Sequence, residues 1–361
     1  MLTGWDAAAL KNYQLADGTT FDAVVGDMNA ALGAVNAEIV SDPVIASLVS
    51  YTDMPEWEYR TGGSNGFEDF TEYATPDPRR ADIAGHMLPL KAYDRGLGWT
   101  WNYLRQARTA QVDADIADAI KDVRDLWRQK ILTRLLKRSD DSGAAAGLGS
   151  TGYSPGFATA AASTNVDFTP PAYGGTSFTS DHEHYNTLTG GAMTTTALNA
   201  AKDDLREHGH EPPYDLIVGT TEETAIRALT GFVPVGSDLV TYGSTTSLAN
   251  FAELADANGG YFIGVYNDIR IRVLRGMPQY YGFMYKSYGA NSQRNPLRVR
   301  LQKGVARPRV TAFPDPRSGA GAAYPLQYMM LFTEFGVGVG DRTNGVPIYN
   351  NNSTWADGTA T

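Results

Sequence analysis

One helical stripe constrains this chain more than any other feature. From about Ala110 to Arg138, the residues Val112, Ile116, Ile120, Val123, Trp127 and Ile131 recur at steps of 4, 4, 3, 4 and 4. That spacing places all six on one face of a helix. Ala119, Leu126, Leu132, Leu135 and Leu136 widen the stripe toward its end. Asp113, Asp115 and Asp118 occupy the early turns and Arg134, Lys137 and Arg138 the last, the polarity that complements a helix macrodipole. At 1.5 Å per residue, ~28 residues span about 42 Å, which is long for a globular domain. A helix of that length with one apolar face suits a subunit whose neighbours complete its core.

The surrounding chain mixes helices and strands. Thr20 is placed to cap a helix from Phe21 to about Val40, with Val24, Val25, Met28, Leu32, Val35 and Ile39 at helical spacing and Pro43 as its stop. Residues 51–98 instead spread Trp57, Tyr59, Phe67, Phe70 and Tyr73 through segments rich in Gly, Asp and Thr, with Pro76, Pro78, Arg79 and Arg80 marking an exposed turn. Met87 to Tyr93 then reads as a returning strand. Together these form a long two-stranded arm with little core of its own. About 15 residues of strand reach roughly 50 Å, and an isolated hairpin is marginal in water, so the arm needs a neighbour to lie on.

After the long helix, residues 139–180 are rich in Gly, Ala, Ser and Thr. Thr194 to Glu207 fits an amphipathic helix on Leu198, Ala201 and Leu205, closed by Gly209. Tyr214 to Gly219 reads as a buried strand and Thr221 to Leu229 as a helix. Further strands are expected at Tyr261–Val265, Ile269–Leu274, Tyr281–Tyr285, Leu297–Leu301 and Gln327–Phe335. No fixed-period repeat is present.

Composition narrows the function. With no cysteine, disulfide frameworks, thiolate metal sites and cysteine nucleophiles are excluded, and a reducing compartment is expected. The first residues lack the basic and apolar regions of a secretory signal, and no apolar run approaches the ~20 residues of a membrane helix, so the chain reads as soluble and free of membrane. A net charge of -10 argues against a broad nucleic-acid-binding surface, since phosphate contacts need clustered cations. It does permit a wall that encloses DNA without gripping it.

The order of these elements resembles the major capsid proteins of tailed bacteriophages with the Hong Kong 97-like fold, over roughly residues 20–348. The resemblance rests on the long helix, on Thr194–Glu207 followed by Glu211-Pro212-Pro213 and the strand Tyr214–Val218, on the alternating Leu297–Leu301, and on Thr333 to Val339. It implies an α+β fold with an N-terminal arm (1–50), an extended loop (51–98), a peripheral domain (99–190) holding the spine helix 110–138 and the Gly/Thr-rich insert, an axial domain with return strands (191–310), and a peripheral return with a C-terminal tail (311–361).

It further implies a major capsid protein that self-assembles as pentamers and hexamers into an icosahedral shell around double-stranded DNA. Such a protein is assembled in the host bacterial cytoplasm and located in the virion, with a separate scaffolding protein, a portal and decoration proteins as partners. No enzyme activity and no cofactor are implied. Two alternatives stand beside it: an encapsulin-type nanocompartment shell of the same fold, and a metal-dependent enzyme built on two histidine clusters.

Individual motifs support structure over chemistry. Asp181-His182-Glu183-His184 and His208-Gly209-His210-Glu211 carry metal-ligand residue types. Neither has the i, i+4 spacing of a zincin, so His208 and His210 are expected to serve a helix C-terminus, with no metal site. Gly336-Val337-Gly338-Val339-Gly340 lacks the Lys-Ser/Thr of a phosphate-binding loop and reads as a glycine-bearing strand end. Gly-x-Ser-x-Gly is absent, and Asp140 and Asp141 belong in a solvated loop, so no catalytic residue is expected. Trp99, Trp101 and Tyr103 read as core packing where the long helix begins. Arg79, Arg80, Lys91, Trp57 and Tyr59 are the candidate inter-subunit contacts, the charged ones as salt bridges from the arm.

Overall fold

The computed structural model describes residues 14–62, 82–139, 141–144, 151–158, 169–179, 181–234, 260–314 and 326–358. Helices α1 (Phe21–Ser41) and α2 (Pro43–Leu48) lead into β1 (Val49–Thr52), then β2 (Glu56–Gly62), β3 (Asp82–Met87) and β4 (Lys91–Thr100). Helices α3 (Trp101–Gln106) and α4 (Thr109–Leu136) follow, then β5 (Asp141–Ala144), β6 (Thr151–Ser154) and β7 (Asn186–Thr187). Helix α5 (Thr195–Glu207), β8 (Tyr214–Val218), α6 (Glu223–Arg227) and β9 (Phe232–Pro234) come next. The chain closes with β10 (Gly260–Tyr266), β11 (Ile269–Leu274), β12 (Tyr281–Tyr285), β13 (Leu297–Leu301), β14 (Thr311–Pro314), β15 (Leu326–Val339) and β16 (Val346–Tyr349). Among the described residues no helix is long and apolar enough to cross a membrane.

Thr20 caps α1 as its sequence predicts, accepting from the Ala23 amide. Pro43 does more than stop that helix. Asp42 Oδ1 accepts from the amides of Val44 and Ile45 at 2.8 and 3.0 Å, and Pro43 opens α2 at a position where a missing N–H costs nothing.

The stripe on α4 is buried along its whole length, from Val112 through Trp127 to Leu136. Its cover comes from this chain: α1 buries Val24, Met28, Leu32, Val35 and Ile39 in the same core, Arg124 pairs with Glu38 at 2.5 Å, and Trp127 stacks on Phe335 with ring centroids 3.7 Å apart. The expectation that neighbours complete the core under this helix is therefore corrected. A 21-residue partner helix and a sheet are long enough to cover it from within.

That sheet has five strands, in the order β1-β13-β15-β14, with β4 also on β15. A second sheet has seven, in the order β7-β16-β12-β8-β11-β10-β9. On β8, Tyr214, Leu216 and Val218 face a core shared with α5, while Ile217 faces the core under α4. Burial on both faces accounts for the nearly unbroken apolar run of β8. Asp215, within that run, is held by Arg270 at 2.6 Å.

Three expectations change in detail. The returning strand placed over 87–93 divides at Leu88-Pro89-Leu90, so β3 stays with β2 while β4 joins the five-stranded sheet. The helix placed over 221–229 shrinks to Glu223–Arg227, because the Glu222 carboxylate turns inward to accept from the Met193 amide at 2.9 Å and from the Asn350 side chain. Asp141 starts β5, which pairs with β6, and is not in a loop; Asp140 lies outside the described residues.

Trp127→Ala should destabilise the protein by about 3–5 kcal/mol, because it removes a fully buried ring and leaves a cavity against Phe335. Chemical denaturation of wild type and variant measures it, and a loss below about 1 kcal/mol would mean that α4 is not seated on β15 as described.

Candidate functional site

The β2–β3 ribbon is the one two-stranded sheet among the described residues that the sequence marked out as an arm. Its register runs from Glu56↔Met87 and Trp57↔His86 to Arg60↔Ile83 and Gly62↔Asp82, with a shift between Arg60 and Gly62. It is anchored at its foot on β15, and alternation along β15 explains how. Val337 and Val339 point into the core, while Gly336, Gly338 and Gly340 present bare backbone to the other side. A Cβ on Gly336 would stand 1.8 Å from the Pro89 carbonyl oxygen, and one on Gly338 would stand 2.5 Å from Leu88 Cδ2. The glycines let the ribbon's foot lie directly on the strand. The run is thus a strand end with glycines, as its sequence suggests, and the glycines mark a close crossing.

Strand β13 supplies the matching half. Leu297, Val299 and Leu301 enter the core, while Arg298 and Arg300 sit opposite Gly338 and Gly336. The Arg298 guanidinium lies 3.6 Å from the Trp57 ring centre, and the Trp57 indole N–H donates to the Gly340 carbonyl at 3.1 Å. Arg300 donates to the Leu88 carbonyl at 2.7 Å, and the Leu88 amide donates to the Pro55 carbonyl at 2.8 Å. Both guanidiniums are nearly inaccessible, and burial pushes Arg298 down to about 10. Carbonyl oxygens and an indole face hold these cations.

His86 completes the foot. Its Nε2 lies 2.9 Å from the Val339 carbonyl, so that nitrogen carries the proton and donates. Burial, reinforced by the Arg342 charge, pushes this imidazole down to about 3.

The candidate contacts fall into three groups. Trp57 is committed to the foot of the ribbon, against Arg298 and Gly340. Lys91 is exposed at the start of β4, its ammonium 5.6 Å from the Tyr93 ring centre. Tyr59 stands opposite Ala84 in the ribbon's register, and Arg79 and Arg80 lie outside the described residues. Of the aromatics placed at the start of the long helix, Trp99 is buried and donates to Asp115 at 2.8 Å, whereas Tyr103 is exposed. Sequence reasoning missed His86, Arg298 and Arg300. The signal that finds them is the pairing of an alternating Leu-Arg strand with an alternating Gly-Val strand.

The two histidine clusters, far apart in sequence, meet in the structure. In the extended stretch before β7, His182 and His184 face one way and Glu183 and Tyr185 the other. His182 Nε2 lies 2.9 Å from His208 Nε2, 3.2 Å from His184 Nε2 and 3.2 Å from Glu207 Oε1. The role expected for His208 and His210 at the end of α5 is corrected. The His208 ring joins this group, and the His210 ring bridges the Tyr288 and Thr343 hydroxyls at 2.8 and 3.0 Å. Chain reversal after Gly209, at φ 78°, sends the two rings in different directions.

An anchored two-stranded ribbon, a long helix seated on a five-stranded sheet, and a second mixed sheet, in this chain order, make up the α+β architecture of the Hong Kong 97-like fold. A solved chain described as Mycobacterium phage Patience shares it, with a TM-score of 0.68 at 20% identity over 95% of this chain and 92% of that one. The asymmetric unit of the bacteriophage PhiM1 mature capsid aligns at 0.46, with 12% identity over 85% and 87% of the two chains. The capsid of an empty GTA particle aligns at 0.47, with 13% identity over 88% and 90%. No family model and no curated protein matches the sequence.

His86 makes a pH prediction. Its folded pKa lies below its unfolded one, so its contribution to stability is complete above about pH 6.5 and is lost as pH falls from there toward 3. Between pH 7 and 5 the protein should lose roughly 2 kcal/mol on this account. His86→Gln, which keeps a donor for Val339, should flatten that part of the pH–stability curve. An unchanged slope in the variant would place the acid sensitivity elsewhere.

Proposed function

We propose that this chain is the major capsid subunit of a tailed bacteriophage, a structural protein and not an enzyme. In this reading it self-assembles as pentamers and hexamers into an icosahedral shell around double-stranded DNA. Assembly takes place in the host bacterial cytoplasm and the product is the virion head. The observation that carries the reading is the fold shared with a phage chain over more than nine-tenths of both lengths.

The ribbon supports it. Strands β2 and β3 pair with each other and with no other described strand, and they are held at the foot, with β6 beside β3. A free hairpin is marginal in water, and its edges invite pairing, so a surface on a neighbouring copy is the natural place for it. Repetition of one such contact under rotational symmetry generates rings and then a closed container. The net charge of -10 suits a wall that encloses DNA without holding it. The domain limits assigned from the sequence, the contacts through Lys91, Arg79 and Arg80, and a separate scaffolding protein, portal and decoration proteins belong to the same proposal.

Negative-stain electron microscopy of the chain expressed alone, beside size-exclusion chromatography, tests it. Closed particles or rings of five and six are expected, and particle size separates a phage head from an encapsulin-type compartment. A monomer that persists under crowding and salt would overturn the reading.

A further inference from the structure

We infer that His182, His184, Glu207 and His208 form a binding site for one divalent late transition-metal ion, zinc above all. The four ligand atoms lie within 4.8 Å of one another, contributed by two segments more than twenty residues apart in sequence. Three of their separations, 2.9, 3.2 and 3.2 Å, meet at His182 Nε2. Tetrahedral zinc with Zn–N bonds of about 2.0–2.1 Å requires ligand–ligand edges of about 3.3–3.4 Å. Three of the six edges are therefore already as short as those of a zinc shell, and the other three are at most 4.8 Å, within reach of a small side-chain adjustment.

Proton counting makes the same point. His184 Nδ1 lies 3.1 Å from the Gly345 carbonyl, which only accepts, so Nδ1 carries the hydrogen and Nε2 offers a bare lone pair. Glu207 Oε1 also only accepts. His182 Nε2 carries at most one hydrogen, yet three potential acceptors stand around it. Even with a hydrogen on His208 Nε2, the bare lone pairs of His184 Nε2 and Glu207 Oε1 share the single hydrogen of His182 Nε2, whereas one cation meets all four ligand atoms. The Gly345 contact is the kind of outer hydrogen bond that fixes the tautomer of a metal-binding histidine. Phe178 packs beside His182 and His208, with centroids at 4.8 and 4.3 Å, and screens one side from water.

Four protein ligands leave no open position, so the site would be structural. Its location gives it a job. The opposite face of the same segment is tied to the end of α4, where Arg138 meets Glu183 at 2.6 Å and the Tyr185 hydroxyl donates to the Lys137 carbonyl at 2.9 Å. An ion on the histidine face would fasten the end of α5 to that junction, stapling the helix of one core to the helix of the other. This is a role the sequence, with its clusters at loop and turn spacings, did not suggest.

The test uses the untagged full-length chain, so that no purification tag binds metal. Elemental analysis after dialysis against zinc should find about one zinc per chain, and cobalt added to chelator-treated protein should give the intense visible band of a four-coordinate site. The double variant His182→Gln, His208→Gln should lose zinc at least tenfold, and its Tm should no longer rise with added zinc as the wild type's does. A wild-type chain that stays metal-free and gives only the weak spectrum of hydrated cobalt would overturn the site. So would a variant that retains the wild-type metal content. If the variant does not fold, the wild-type cobalt spectrum decides by itself.

Discussion

Strand β15 is packed on both faces, and the rest of the molecule is arranged around that constraint. On one face Phe335 stacks on Trp127 of the long helix, and Val337 and Val339 close the core. On the other, glycines at alternate positions admit Leu88 and Pro89 to within backbone contact. A strand can serve two packed layers in this way only because successive side chains point to opposite faces. Long helix, sheet and ribbon are thereby coupled through fourteen residues. A disturbance at either face of β15 reaches the other without any intervening loop.

The cost of that coupling is the burial of cations. Arg298 and Arg300 fill the space opposite the glycines, and Arg134 and Arg342 are buried nearby, held largely by carbonyl oxygens of Pro155, Gly156 and Leu88. Guanidinium groups tolerate this better than ammonium groups, because their charge is spread and their donors fork toward several acceptors. Burial, with the positive charge concentrated at the foot, also keeps His86 neutral. The ribbon's direction is thus fixed by buried hydrogen bonds and an indole face. Surface salt bridges, which are weak, are not required for it.

The long helix looks like a feature that demands neighbours, yet its stripe is satisfied within one chain. Among the described residues, β2 and β3 pair only with each other, with their foot on β13 and β15 and β6 beside β3.

Periodicity alone determined α1, α4, α5 and strands β8, β11, β12 and β13, because in each the apolar spacing matches the element. Tertiary structure decided whatever depends on atoms distant in the chain. The amide of Thr109 at the start of α4 is met by Asp17, 92 residues earlier, which holds that carboxyl well below its usual range. The split of the returning strand at Leu88-Pro89 follows from a crossing with Gly336 that no local pattern encodes. The meeting of His182 and His184 with His208 depends on how the chain before β7 runs past the end of α5. Local spacing fixes which residues share a face; only packing fixes what that face meets, because contacts between distant segments are set by the fit of whole elements and not by any one of them.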